Sequence, residues 1–219
     1  MSLKKSLVFV MASLGLGLIF ASLYPILYYQ WQSGLKYPVL LSPLSSQESE
    51  KYKFTNKNLT NSQSWFDVKE KTAVVSSLPY YTLSIPKLGI DGAIVRTDSE
   101  DLSGSLVQFS GSRPPGEKGN TVILGHSVLP IFFDPKNYIS IFSTLYKLDR
   151  GDEILLNYED TIYKYVVETM FEVKPTDIEV LEQNADASYI SLITCTPPGD
   201  PRKPRRLVVR AKIAPLMVN

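Results

Sequence analysis

The chain is poor in the side chains that several common chemistries need. Its single cysteine, Cys195, cannot close an intrachain disulfide, so no disulfide framework holds the fold. One cysteine and one histidine, His126, also fall short of the four ligands that structural zinc sites generally take. Neither sign of charge dominates: 23 Lys and Arg stand against 22 Asp and Glu, a net charge of +1. The basic footprint of a nucleic-acid binder is therefore missing, and no nucleic-acid partner is expected. No internal repeat is visible, so nothing suggests a repeat array.

One further absence is local. Residues 6 to 35 contain no charged side chain, and 7 to 27 are dominated by Leu, Val, Ile, Phe and Ala. Crossing a bilayer takes about 20 apolar residues, and this run is long enough. Tyr24, Tyr28, Tyr29 and Trp31 gather at its end, as aromatic side chains do at a membrane interface. Lys4 and Lys5 favour a cytoplasmic N-terminus with the rest of the chain outside. A cleaved signal peptide is the competing reading. Its apolar region would be shorter and end in small residues, whereas Tyr24, Pro25 and Ile26 stand here.

Beyond the run, 32 to 71 is rich in Ser, Asn, Lys and Gln and shows no clear period, which predicts an exposed stalk with local structure around Trp65 and Phe66. From Leu78 the texture changes to short apolar segments separated by turn residues. Strands are expected at 80–85, 93–95, 121–124, 153–158, 162–173, 189–194 and 207–213. Arg113-Pro-Pro-Gly116, Asp149-Arg-Gly-Asp152 and Glu159-Asp160 supply turns between them. Short helices are expected at 99–105 and 177–183. Many short strands with this punctuation predict a closed or nearly closed β-barrel.

Chemistry is expected where the only cysteine and the only histidine fall. Both follow apolar strands, Cys195 after Ile190-Ser-Leu-Ile-Thr194 and His126 after Thr121-Val-Ile-Leu-Gly125. Pro197 and Pro198 stop the first strand, so the thiol lies near the rim of the sheet, where catalytic groups concentrate. A lone cysteine with a histidine elsewhere in the chain is the pattern of a cysteine nucleophile with an acid/base partner. Arginines follow at 202, 205, 206 and 210. In an antiparallel hairpin, the start of the second strand lies beside the end of the first, so Arg205 or Arg206 comes close to Cys195. Either guanidinium could stabilise an oxyanion, and spacing does not choose between them.

These segments resemble the sortase family. Leu192-Ile-Thr-Cys195 is similar to the Leu-x-Thr-Cys signature, and Arg206-Leu-Val-Val-Arg-Ala-Lys212 to the strand that opens with the family's essential arginine. Gly119-Asn-Thr-Val-Ile-Leu-Gly-His126 resembles the segment ending in the family's histidine. Ser84-Ile-Pro-Lys-Leu-Gly-Ile90 resembles its first barrel strands, and the stretch from Leu145 through Gly151-Asp-Glu-Ile154 fits the pattern after the histidine. The resemblance runs from about Leu78 to Ile213. It implies a mainly β fold: an eight-stranded barrel with short helices, preceded here by one transmembrane helix.

It further implies a transpeptidase with Cys195 as nucleophile, His126 as acid/base and Arg206 as oxyanion stabiliser, so that replacing Arg205 is expected to cost little. Thr194 is a candidate substrate contact. The implied partners are proteins bearing a Leu-Pro-x-Thr-Gly-like sorting signal and an amine acceptor on cell wall or pilin, with no cofactor. Pilin-building sortases often carry a lid with an Asp-Pro-aromatic motif; Trp65-Phe-Asp67 lacks that order and is not read as one. Asp98, Glu100 and Asp101, like Glu159 and Asp160, are read as acidic surface turns, and no metal is expected. The chain then divides into a cytoplasmic tail (1–5), a transmembrane anchor (6–31), an extracytoplasmic stalk (32–71), a catalytic barrel (72–215) and a short tail (216–219). Two other readings fit the same composition: an anchored adhesin or inactive pseudo-enzyme, and another cysteine peptidase of the cell envelope.

Overall fold

The computed structural model describes residues 3–37, 60–66, 78–183 and 186–215. They form two units, one ending at Lys36 and one starting at Tyr37. The first is a single helix, α1 (Leu3–Lys36). Its stretch Leu7–Lys36 is long and apolar enough to cross a membrane. Large apolar side chains such as Leu7, Phe9, Leu14 and Phe20 are exposed. An apolar helix that leaves such side chains exposed suits a hydrocarbon solvent better than water. Tyr24 and Tyr28 stack at 5.8 Å, and Trp31 follows at 6.3 Å from Tyr28.

The second unit is a closed barrel of eight strands: β1 (Tyr80–Ile85), β2 (Ile90–Arg96), β3 (Leu106–Gln108), β4 (Gly119–Leu124), β5 (Glu153–Tyr158), β6 (Thr161–Val173), β7 (Ser188–Thr196) and β8 (Arg205–Ile213). Around the barrel they run β1-β2-β3-β4-β7-β8-β6-β5. Strands β2/β3 and β4/β7 pair in parallel, and the other neighbours are antiparallel.

Two apolar layers explain the strand patterns. Leu83, Ile85, Val95, Ile123, Leu156, Ile190, Leu192, Leu207 and Val209 pack into one cluster, the barrel interior. On the other face of β4, β7, β8 and β6, a second cluster joins Val122, Leu124, Ile193, Cys195, Val208, Phe171 and Val173. Alternate residues of a strand point to opposite faces. A strand covered on both sides therefore reads as a continuous apolar run, as β4 and β7 do. The second layer gives the cysteine strand its outer cover.

Two sequence expectations change. No helix forms at 99–105; there the Asp101 carboxylate accepts bonds from the Ser103 backbone N–H (2.9 Å) and hydroxyl (2.8 Å). Such local side-chain bonding competes with helix. Within 177–183 only a 3-10 turn, Ile178–Leu181, is present. Strand β3 went unanticipated because its three residues are too few to show a period.

Candidate active site

Cys195 and Arg206 are direct partners in the β7/β8 ladder, followed by Thr196 and Arg205. Residues opposite each other in a ladder project to the same face, so Arg206 shares the outer face with Cys195. Arg205 falls on the other face. There its Nη1 lies 2.8 Å from Oε2 of Glu172, a carboxylate only 3% exposed. The structure thus separates the two arginines that spacing left equivalent. Arg205 is thereby engaged by a buried carboxylate, and its removal would take away that carboxylate's guanidinium partner.

His126 is fixed beside Cys195 by bonds on either side of it. β4 and β7 run in parallel with Leu124 opposite Ile193. The Gly125 N–H then donates to the Ile193 carbonyl (3.2 Å), and the Ser127 hydroxyl donates to the Cys195 carbonyl (2.7 Å). Thr194 adds a third stitch, its hydroxyl donating to the Gly125 carbonyl at 2.8 Å. Thr194 is buried and faces the barrel interior, opposite to Cys195. Gly125 is required by packing: a Cβ there would lie 2.5 Å from the Phe142 ring and 2.6 Å from Leu106.

The site is covered. Residues 60–66, part of the segment expected as an exposed stalk, pair with the β2–β3 loop: Asn61 bridges to Asp101, and Leu102 N–H donates to the Thr60 carbonyl (2.9 Å). Glu100 accepts from the Ser62 hydroxyl and, at 2.6 Å, from Gln63 Nε2. This places Trp65, fully buried, over the face that carries Cys195 and Arg206. Its ring centroid is 5.9 Å from that of His126, and the Arg206 Cζ is 5.3 Å from it. Its carbonyl accepts from Arg206 Nη2 at 3.4 Å. Phe66 packs edge-on to Phe109 at 6.3 Å in the same layer. Sequence reasoning noted Trp65 and Phe66 without giving them a role; two adjacent large aromatics in a polar stretch were the signal.

Under this cover the electrostatics are those of a closed state. Burial, with a smaller effect from Lys203, pushes the His126 pKa down to about 4, against a weak opposing pull from Asp101. The imidazole is therefore neutral near pH 7. Arg206 is only 2% exposed. Its Nη1 donates to the carbonyls of Lys203 (2.9 Å) and Arg205 (3.0 Å), whereas its Nε–H is buried without a partner. A buried donor left unmatched is costly, and here it belongs to the side chain best suited to hold an oxygen anion.

The acidic turn at 98–101 has protein partners. Asp98 pairs with Arg96 at 2.7 Å, Glu100 holds the cover, and Asp101 caps the turn at Ser103.

Comparison with known proteins agrees with the fold. The family model described as the sortase domain matches residues 83–214. Sortase A of Streptococcus agalactiae is 24% identical over 60% of this chain and 51% of its own length. Sortase A of Listeria monocytogenes is 26% identical over 61% of this chain and 54% of its own. The chain thus spans about half the length of these curated relatives. Among solved structures, a Clostridium perfringens sortase D5 transpeptidase aligns with a TM-score of 0.52 at 28% identity, covering 62% of this chain and 79% of that one. Sortase A from Corynebacterium diphtheriae, a lid mutant, aligns with a TM-score of 0.54 at 28% identity, covering 65% and 74%. The sortase match spans more than half of the chain and includes His126, just beyond β4, and the strands β7 and β8 that carry Cys195 and Arg206; the chain belongs to the sortase family.

Proposed function

We propose that this protein is a membrane-anchored transpeptidase that cleaves a Leu-Pro-x-Thr-Gly-like sorting signal and transfers the new acyl end to an amine. The observation that carries the reading is the ladder pair Cys195–Arg206 with His126 stitched alongside. In this mechanism the neutral His126 accepts the Cys195 proton as the thiolate attacks the threonine carbonyl of the signal. Arg206 then holds the oxyanion of the tetrahedral intermediate. Collapse breaks the Thr–Gly bond, His126 protonates the departing glycine amine, and a thioester remains on Cys195. An incoming amine, from cell wall or a pilin lysine, gives a proton to His126 and displaces the thiol. None of these steps calls for a cofactor.

The cover must leave first, because Trp65 occupies the catalytic face and its carbonyl holds an Arg206 donor. We assign Thr194 to fixing the His126 turn, because its hydroxyl donates to the Gly125 carbonyl and the residue is buried on the face opposite Cys195. The α1 run, with Lys4 and Lys5 before it, supports an anchor whose N-terminus is cytoplasmic and whose barrel lies outside.

The test is incubation of the full chain with a library of Leu-Pro-x-Thr-Gly-like peptides and simple amines, with products weighed by mass spectrometry. Cleavage with transfer to the amine is expected. Cleavage to free acid alone, unaffected by amines, would instead indicate a cysteine peptidase.

A further inference from the structure

Glu172 is an anomaly in its strand. It lies in the run Met170-Phe171-Glu172-Val173, whose neighbours are buried, and it is itself only 3% exposed. A carboxylate so placed is costly unless it is paired and hydrogen-bonded. Here it is both. One oxygen, Oε2, takes Arg205 Nη1 at 2.8 Å, and the other, Oε1, accepts from the Thr196 hydroxyl at 3.3 Å.

The two partners of this carboxylate face each other across β7 and β8. Thr196 and Arg205 are the ladder pair next to Cys195 and Arg206, the last pair before the turn of the hairpin. Glu172 comes from the third strand, β6, where Val173 stands opposite Arg206. One carboxylate thus ties together both legs of the hairpin at its base, on the face opposite the thiol.

The tie continues to the catalytic face. Arg206 Nη1 is hung on the Arg205 and Lys203 carbonyls. The orientation of the Arg206 guanidinium is therefore set by the backbone whose side chain Glu172 grips. We infer that Glu172 is a positioning residue for the transpeptidation site, aiming the Arg206 guanidinium at the Cys195 reaction centre through Arg205 and Thr196. This rests on the roles proposed above for Cys195 and Arg206. A purely structural buried ion pair would affect the amount of folded protein, and not the coupling between Glu172 and Arg206.

The experiment uses the full chain with Glu172→Met, which keeps the volume and removes the clamp, and Glu172→Gln, which keeps the hydrogen-bonding atoms. Each is also combined with Arg206→Ala, and thermal melting confirms folding. Two readouts are taken: kcat and KM with a sorting peptide and an amine, and the pH profile of Cys195 alkylation by iodoacetamide, which needs no substrate. Glu172→Met is expected to lower kcat about tenfold or more with KM changed by less than about twofold. It should also displace the alkylation profile in the same direction as Arg206→Ala, and add nothing further in the Arg206→Ala background. Glu172→Gln should recover most of the wild-type behaviour. Equal losses in both backgrounds, a change in KM alone, or no change would overturn the assignment. If the alkylation coupling is seen while no peptide is cleaved, the positioning role stands and the transpeptidase reading fails.

Discussion

Cys195 and Arg206 stand directly opposite each other in the β7/β8 ladder, whereas Arg205 turns to the other face and binds Glu172. Replacing Arg206 should therefore remove a group on the thiol's own face, whereas replacing Arg205 should act through Glu172. Loss of one oxyanion donor typically costs about 2.7–4 kcal/mol of transition-state stabilisation. Arg206→Ala should lower turnover about a hundredfold or more, and Arg206→Lys should recover only part, because an ammonium lacks the forked donors. Arg205→Ala should lower the melting temperature, since it removes the guanidinium that pairs with the buried Glu172 carboxylate. Steady-state kinetics and thermal melting of the three variants check this.

Trp65 and the Glu100 carboxylate that holds its segment should act as brakes. Trp65→Ala removes the ring that lies 5.9 Å from His126, and Glu100→Ala removes the acceptor for Ser62 and Gln63. Deleting a buried tryptophan side chain typically costs about 3–5 kcal/mol, enough to favour opening of so short a segment. Both variants should show faster Cys195 alkylation and faster peptide cleavage than the parent. Unchanged rates in both would mean that the cover does not limit access.

The same cover should be visible in the titration of His126. Burial holds its pKa near 4 in the covered state, below the ordinary value of 6.5. Because the chain has one histidine, a single imidazole resonance reports it. In Trp65→Ala the NMR midpoint should move up toward the ordinary value. A midpoint that stays near 4 would place the desolvation elsewhere.

Stability should follow from this shift with a defined sign. Between about pH 6.5 and 4 the unfolded chain protonates His126 while the covered protein does not. His126 thus contributes an acid-side penalty: stability should fall as pH drops through that window and level off below it. Denaturant midpoints measured across the window should show a shallower fall in His126→Asn. Equal pH slopes in the two proteins would mean that His126 is not the group responsible.

Much of this was open to sequence reasoning, because strand periodicity and turn residues act locally. The β4 and β7 runs show themselves as strands covered on both faces, and Cys195 and His126 lie just where those runs end. Spacing alone did not separate Arg205 from Arg206, since a shift of one residue in register exchanges the faces; only the resemblance of 206–212 to the sortase strand pointed to Arg206. Trp65 was hidden for a different reason. Its place depends on contacts with Glu100, His126 and Arg206, which are remote in sequence. The boundaries drawn at 32–71 include residues 38–59 and 67–71, which lie outside the described part of the chain, as does the tail at 216–219.

Gly125 gives a packing test of how His126 is placed. A methyl group there would press on Phe142 and Leu106. Gly125→Ala should cost about 1–3 kcal/mol in stability and reduce turnover through a displaced His126. Chemical denaturation together with kinetics measures both effects.

Membrane orientation can be tested on intact cells. Added protease should remove the barrel and leave a small membrane-bound stub containing the α1 run. A barrel protected until the cells are lysed would reverse the orientation.

In the proposed reaction Cys195 carries the acyl group between donor and acceptor. The most direct measurement is the intact mass of the full chain after brief exposure to a Leu-Pro-x-Thr-Gly-like peptide with no amine present. The expected result is an added mass equal to the acyl fragment ending at threonine (the free acid less one water), mapped to Cys195, released by an added amine and missing in Cys195→Ala. Peptide cleavage retained by Cys195→Ala, with no adduct on the parent protein, would contradict it.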